Sequence, residues 1–88
     1  MIKIVSIKDM IRKDVPIYYR KLYTGVIVVE ISENASEYRI DFVIEVKPTG
    51  QKEVSVSFID AVDYPLIPLV KIVKNYIIEL DSVGGLPD

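Results

Sequence analysis

Residues 38–47 read YRIDFVIEVK, and apolar and polar side chains alternate along this stretch without interruption. Successive side chains of a β-strand point to opposite faces, so strict alternation predicts a strand with one buried face. The apolar face comprises Tyr38, Ile40, Phe42, Ile44 and Val46, and the opposite face comprises Arg39, Asp41, Val43, Glu45 and Lys47. We therefore expect the chain to build a sheet around this segment.

A second strand follows directly. Residues 53–60, EVSVSFID, repeat the alternation, and the intervening Pro48-Thr49-Gly50 is typical of a tight turn because glycine adopts positive φ freely. The two segments therefore predict a hairpin. Phe42 and Phe58 lie on the same predicted core face, where we expect them to pair.

A third strand precedes the hairpin. Residues 25–31, GVIVVEI, are almost entirely β-branched, whereas residues 32–37, SENASE, are polar and indicate a loop. Three consecutive strands of this kind are most simply joined as an antiparallel meander. The sequence therefore predicts a three-stranded antiparallel β-meander over residues 23–60.

After the sheet, the sequence predicts an amphipathic helix over residues 64–83. Apolar side chains recur at helical spacing and share one stripe, the pattern of a helix that packs on a sheet. The stripe consists of Leu66, Leu69, Val70, Val73, Tyr76, Ile77 and Leu80. Because Pro68 donates no backbone hydrogen bond, we expect an irregular or 3₁₀ first turn and regular helix from Ile67 or Pro68 onward. Gly84-Gly85 should end the helix.

The N-terminal segment, residues 1–22, combines helical and extended signals. Ser6 followed by Asp9 resembles a helix capping box, and apolar residues nearby have helical spacing, which predicts a short helix over residues 6–13. Residues 17–23, IYYRKLY, fit either a helical turn or the start of a long first strand. The tyrosines and the preceding proline favour the extended form. The whole chain, residues 1–88, is then a single α+β domain.

Charge is distributed unevenly along the chain. Residues 1–21 carry six cations and two acids, a net charge of +4, whereas residues 22–88 carry five cations and eleven acids, a net charge of −6. Salt screens charges beyond about 10 Å, so only short-range pairing survives. The basic segment therefore either pairs with the acidic body, within one chain or between protomers, or forms a basic arm that binds a ligand.

The residue types restrict the possible chemistry. The chain has no histidine and no cysteine, which excludes histidine bases, Ser-His and Cys-His nucleophiles, and thiolate zinc sites. Asp60 and Asp63 could hold Mg²⁺ through oxygen ligands, but a strand end and a helix start are common positions for acids. We expect no catalytic residue, no metal and no cofactor, and hence a protein that is not an enzyme.

No stretch reads as a membrane anchor or a secretion signal. Charges interrupt the N-terminal residues, and nothing approaches the roughly 20 apolar residues that span a bilayer. We expect a soluble, cytoplasmic protein with no membrane partner, and the lack of cysteine fits a reducing compartment.

One candidate site lies in residues 16–25, PIYYRKLYTG, where aromatic rings accompany adjacent cations. Rings can stack on bases while cations meet phosphates, so the stretch could bind a nucleotide or single-stranded nucleic acid weakly. The candidate ligand-binding residues are Tyr18, Tyr19, Arg20, Lys21 and Tyr23. An acidic body argues against nucleic acid as a partner. The alternative is that the tyrosines pack on the core edge while the cations pair with acids of the body.

A second candidate site lies on the predicted helix. Ile67 and Ile78 fall outside the core stripe, on the side that carries lysines, and Ile67, Lys71, Lys74 and Ile78 form one row. The sheet face opposite Phe42 likewise carries Val26, Val28, Val43 and Ile59. Misplaced apolar groups of this kind indicate either contacts with a partner or coverage by residues 1–22. We expect a protein-interaction or scaffold domain that forms a homo-oligomer or binds a protein partner, with the row as the interface.

Overall fold

The computed structural model describes residues 2–87, so Met1 and Asp88, the ends of the predicted 1–88 domain, lie outside the described residues. The fold is α+β, as the sequence predicts, with one antiparallel sheet and a C-terminal helix. The elements are β1 (Ile2–Lys13), β2 (Arg20–Ile31), β3 (Asn34–Val46), β4 (Lys52–Phe58) and α1 (Leu66–Ser82). The strands lie side by side in chain order, β1-β2-β3-β4. The sheet therefore has four strands, not the three predicted.

The predicted helix over residues 6–13 is wrong, because these residues belong to β1. This strand pairs along β2, with irregularities between Ile4 and Ser6 and between Lys8 and Ile11. Asp9, inside the second irregularity, has a φ of 53°. A bulge inserts an extra residue and shifts the alternation, so apolar residues three apart can share one face of a strand. The spacing that suggested a helix is produced by this bulge.

The hairpin between β2 and β3 corrects the predicted loop over residues 32–37. Ser32 and Glu33 both have positive φ, 50° and 70°, and Ile31 pairs with Asn34. Two left-handed residues between paired strands form a type I′ turn, which matches the twist of a hairpin. The strand β3 therefore starts at Asn34. The polar residues that resembled a loop form the solvent-exposed end of a strand pair.

The turn between β3 and β4 is confirmed. Gly50 has a φ of 88°, and its N–H donates to the carbonyl of Lys47 at 2.8 Å. The start of β2 at Arg20 also confirms that residues 17–23 are extended in their second half. The expected pairing of Phe42 with Phe58 is wrong, since the register places Val56 opposite Phe42.

The helix α1 begins at Leu66, with Pro65 as its N-cap residue. Pro68 is the third helical residue, where a backbone N–H has no partner within the helix, so the α-helix tolerates it without the irregular turn that we expected. At the other end, the N–H of Gly84 (φ 71°) donates to Asp81 and the N–H of Gly85 donates to Leu80. This is a Schellman arrangement, and it confirms the predicted end of the helix.

The core lies between α1 and one face of the sheet, called here the core face. The helix approaches both edge strands, β1 and β4, so it crosses the sheet. The buried residues are Ile7, Tyr23, Ile27, Val29, Ile40, Phe42, Ile44, Val54, Leu69, Val73 and Ile77. Tyr23 and Phe42 stack on adjacent strands, with ring centroids 4.9 Å apart and planes 13° apart. No helix within residues 2–87 is long and apolar enough to cross a membrane.

Candidate functional site

The first candidate surface is the helix row, defined as Ile67, Lys71, Lys74 and Ile78. Residues four or three apart on an α-helix lie one above the other, so the regular geometry of α1 places all four on one side. Ile67 is 88% exposed and Ile78 is about half exposed. A groove of about 380 Å³ beside the row is lined by Leu66, Ile67, Val70, Lys71 and Lys74. The structure thus brings three of the four residues to one groove, and Ile78 lies one turn beyond Lys74.

The two lysines of the helix row differ from most cations of the chain. Six other cations each lie within 4.0 Å of an acid: Lys8, Lys13, Arg20, Arg39, Lys47 and Lys52. Within residues 2–87, neither Lys71 nor Lys74 forms such a pair. Their aliphatic stems can lie along apolar surface while the ammonium groups reach outward. The row therefore offers an apolar strip with two available positive charges.

The second candidate surface is the tyrosine cleft, of about 580 Å³, lined by Tyr18, Tyr19, Glu45, Val46, Lys47 and Pro48. The connection between β1 and β2 forms one wall, and a hydrogen bond from the N–H of Val46 to the carbonyl of Tyr19 (2.9 Å) fixes it to β3. Tyr18 is 96% exposed, and its ring lies 5.7 Å from that of Tyr19 at 89°. Two rings are thus presented at one end of the sheet.

The other predicted ligand-binding residues do not join this cleft. The Arg20 Nε lies 3.2 Å from Glu45 Oε2, so its charge is paired. Tyr23 is buried in the core against Phe42. Lys21 is exposed and forms no ion pair within residues 2–87. Successive residues of β2 point to opposite faces, which separates the side chains that the sequence places next to one another.

Asp60, the candidate for a metal site, is instead committed to Arg39. The backbone N–H of Arg39 donates to Asp60 Oδ2 at 2.8 Å, and its guanidinium donates to Asp60 Oδ1 at 2.7 Å. These side-chain and backbone hydrogen bonds lower the pKa of Asp60 below its ordinary value. Among residues 2–87, no three or more acids are grouped as metal ligands would be. Asp60 thus caps the edge of β3 just beyond the end of β4.

The third surface is the open face of the sheet, which faces away from α1. At its centre lie Leu22, Val26, Val28 and Val43, all half-buried. Two ion pairs connect β1 to β3 above β2: Lys8 Nζ to Glu37 Oε1 at 2.7 Å and Lys13 Nζ to Asp41 Oδ2 at 3.9 Å. The hydrogen bond with Glu37 raises the pKa of Lys8. Sequence reasoning found the valines but missed the lysines, because it assigned β1 to a helix.

Comparison with protein families places the chain. The model of a family designated BB_0187 matches residues 1–82. The chain belongs to this family. Searches among curated proteins and among solved structures gave no match. The matched residues end with α1, so the family match spans the four strands, the helix row and the tyrosine cleft.

Proposed function

We propose that this chain is a protein-interaction domain that associates with itself, and that the helix row is one side of the contact. The observation that supports the proposal is Ile67, 88% exposed on a regular helix next to Lys71 and Lys74. Burying an isoleucine side chain gains about 1.5–3 kcal/mol, and such anchors provide most of the energy of an interface. This function requires no catalytic residue and no cofactor, and a chain without cysteine suits the cytoplasm.

The position of β1 favours a partner over coverage by the chain itself. Residues 2–13 form an edge strand in the plane of the sheet, where they cannot cover the outer side of α1. Ile67 and Ile78 remain exposed as a result. The residue that covers them must therefore come from another molecule.

The charge order of the row indicates which surface it meets. The row reads Ile, Lys, Lys, Ile, so a two-fold antiparallel pairing of two helix rows would place Lys71 beside the partner's Lys74, and like charges repel. The row therefore suits a different, acidic surface of the second copy. Glu30 and Glu33 at the β2–β3 hairpin form no ion pair within residues 2–87 and offer such a surface.

Light scattering after size exclusion tests the proposal. The double variant Ile67→Asp with Ile78→Asp should remain folded, because both side chains lie outside the core, and should have a lower mass than the wild type. Val83→Asp is the matched control, since Val83 is an exposed apolar residue that lies just beyond the helix. A double variant that keeps the wild-type mass, or a monomeric wild type, would exclude the helix row as a self-association site.

A second candidate function, weak binding of a nucleotide or single-stranded nucleic acid, is supported by the tyrosine cleft. Its two exposed rings are able to stack on bases, yet Arg20 is paired and only Lys21 is available for a phosphate. Titration of a labelled oligothymidylate should therefore show no binding that falls with salt. A salt-sensitive micromolar complex, lost in Tyr18→Ala with Lys21→Ala and kept in Lys3→Ala, would replace the interaction function with this one.

A further inference from the structure

The open face of the sheet carries an ordered pattern of charge. The register places Lys13 beside Leu22 and Lys8 beside Val26, so the β1 column of this face is basic. The adjacent β2 column consists of Leu22, Thr24, Val26 and Val28. The β3 column beyond it carries the acids Glu37, Asp41 and Glu45. A basic, an apolar and an acidic column thus lie side by side.

Arg39 is the one cation of the β3 column, and its charge is already compensated. Its guanidinium and backbone N–H both donate to Asp60, which draws the side chain toward β4 and away from β2. At the end of β2, Arg20 is likewise paired with Glu45. The remaining contrast on this face is between the two lysines of β1 and the acids of β3.

Two copies of a sheet can meet face to face through a two-fold axis in the plane of contact, and the charge columns distinguish the two simple orientations. An axis perpendicular to β2 places β1 on β1 of the partner, which opposes like charges. An axis parallel to β2 places β1 on β3 of the partner and β2 on β2. Only the second orientation opposes cations to acids on both sides of an apolar centre.

We propose that a second copy of this chain docks on the open face with the two-fold axis parallel to β2, so that the two sheets form a sandwich. Lys13 then lies between Asp41 and Glu45 of the other copy, and Lys8 lies between Glu37 and Asp41. Leu22, Val26 and Val28 of both copies form the apolar centre. Ile11, which is 64% exposed at the flank, is buried beside Val43 of the other copy.

This inference goes beyond the helix row, because it concerns the opposite side of the sheet and a symmetric contact. The two surfaces do not overlap, so a chain that uses both forms an assembly larger than a dimer. Each contact is then lost separately in its own variants. Failure of one leaves the other standing.

Charge reversal tests the sandwich. Lys8→Glu with Lys13→Glu makes both outer columns acidic, and Glu37→Lys with Asp41→Lys makes both basic. Each variant alone should lose the open-face contact in light scattering, while circular dichroism shows that it remains folded. An equimolar mixture should form a heterodimer, because acidic columns then meet basic ones. If each variant alone keeps the wild-type mass, or the mixture contains only monomers, the proposal is overturned.

Two further variants complete the test. A chain with all four reversals should form its own dimer but should not mix with tagged wild type; mixing would mean that β1 lies on β1 and would overturn the proposed axis. Ile11→Asp probes the contact without removing an ion pair, and it should lower the mass. The double variant Ile67→Asp with Ile78→Asp should keep the open-face contact. Loss of this contact there, with retention in the reversal variants, would assign the assembly to the helix row alone.

Discussion

The two faces of the sheet consist of the same strands and differ almost completely in burial. On the core face Tyr23, Ile27 and Phe42 are at most 2% exposed, whereas on the open face Val26 and Val43, one residue away along the same strands, are only half-buried. The core face is covered by α1. The open face is covered only by lysine stems and ion pairs that cross β2.

This difference shows that the layer above a strand decides what the strand buries. Both faces of β2 are apolar in its second half, GVIVVEI, so its composition alone does not identify the core side. The helix supplies the third layer on one side through Leu69, Val73 and Ile77. On the other side the charged residues of β1 and β3 keep the sheet hydrated while leaving an apolar centre.

The largest expected effect lies at Phe42, which is 1% exposed and stacks on Tyr23. Phe42→Ala should lower the free energy of unfolding by about 3–5 kcal/mol, because it removes the ring and leaves a cavity. Val43→Ala, on the open face, should cost about 1 kcal/mol or less. Urea unfolding measures both. Equal costs would mean that the two faces do not differ in packing.

The helix offers the same comparison between adjacent residues. Ile77 is fully buried and Ile78 is about half exposed. Ile77→Ala should lower the free energy of unfolding by about 2–5 kcal/mol, and Ile78→Ala should change it by about 0.5 kcal/mol. Thermal or urea unfolding at concentrations where the chain is monomeric is the measurement. A larger cost at Ile78 would reverse the assignment of the helix faces.

Gly25 reports how closely β1 approaches the core face. A Cβ atom there would lie 3.0 Å from Ile7 Cγ2 and 3.3 Å from Met10 Cγ, the two residues on either side of the β1 bulge. Gly25→Val should therefore destabilise the fold by about 1–3 kcal/mol through overpacking, despite the better strand propensity of valine. Thr24→Val, on the open face, is the control. A stabilised Gly25→Val chain would show that β1 moves away easily.

The smallest effect concerns the acid that caps β3. Hydrogen bonds from the Arg39 side chain and backbone lower the pKa of Asp60 below its ordinary value of 3.8. A carboxylate with a lowered pKa stabilises the fold above its unfolded-state pKa, and this contribution disappears as the pH falls through the folded-state pKa. Asp60→Asn should therefore flatten the dependence of stability on pH in acid. Unchanged acid unfolding curves would show that the cap contributes nothing.

Local pattern determined the elements whose partners are near in sequence. The stripe of α1 includes all three of its buried residues, and Gly50 marks the turn that joins β3 to β4. In both cases the side-chain period and the turn residue are properties of a few adjacent positions, and the tertiary contacts agree with them. The sequence also placed Ile67 and Ile78 outside the core, because angular position on a helix follows directly from residue number.

Only the tertiary structure decided the role of residues 2–13. The bulge at Asp9 gives Ile7 and Met10 a helical spacing within a strand, and pairing along β2, a contact between residues distant in sequence, overrides the local preference. The same pairing brings Lys8 and Lys13 across β2 to the acids of β3, which gives the open face its three columns. Tyr23 was likewise assigned to a ligand site from its neighbours in sequence, yet the register turned it into the core against Phe42. Strand pairing over long sequence separation is set by the energy of the whole sheet, and a local period does not contain it.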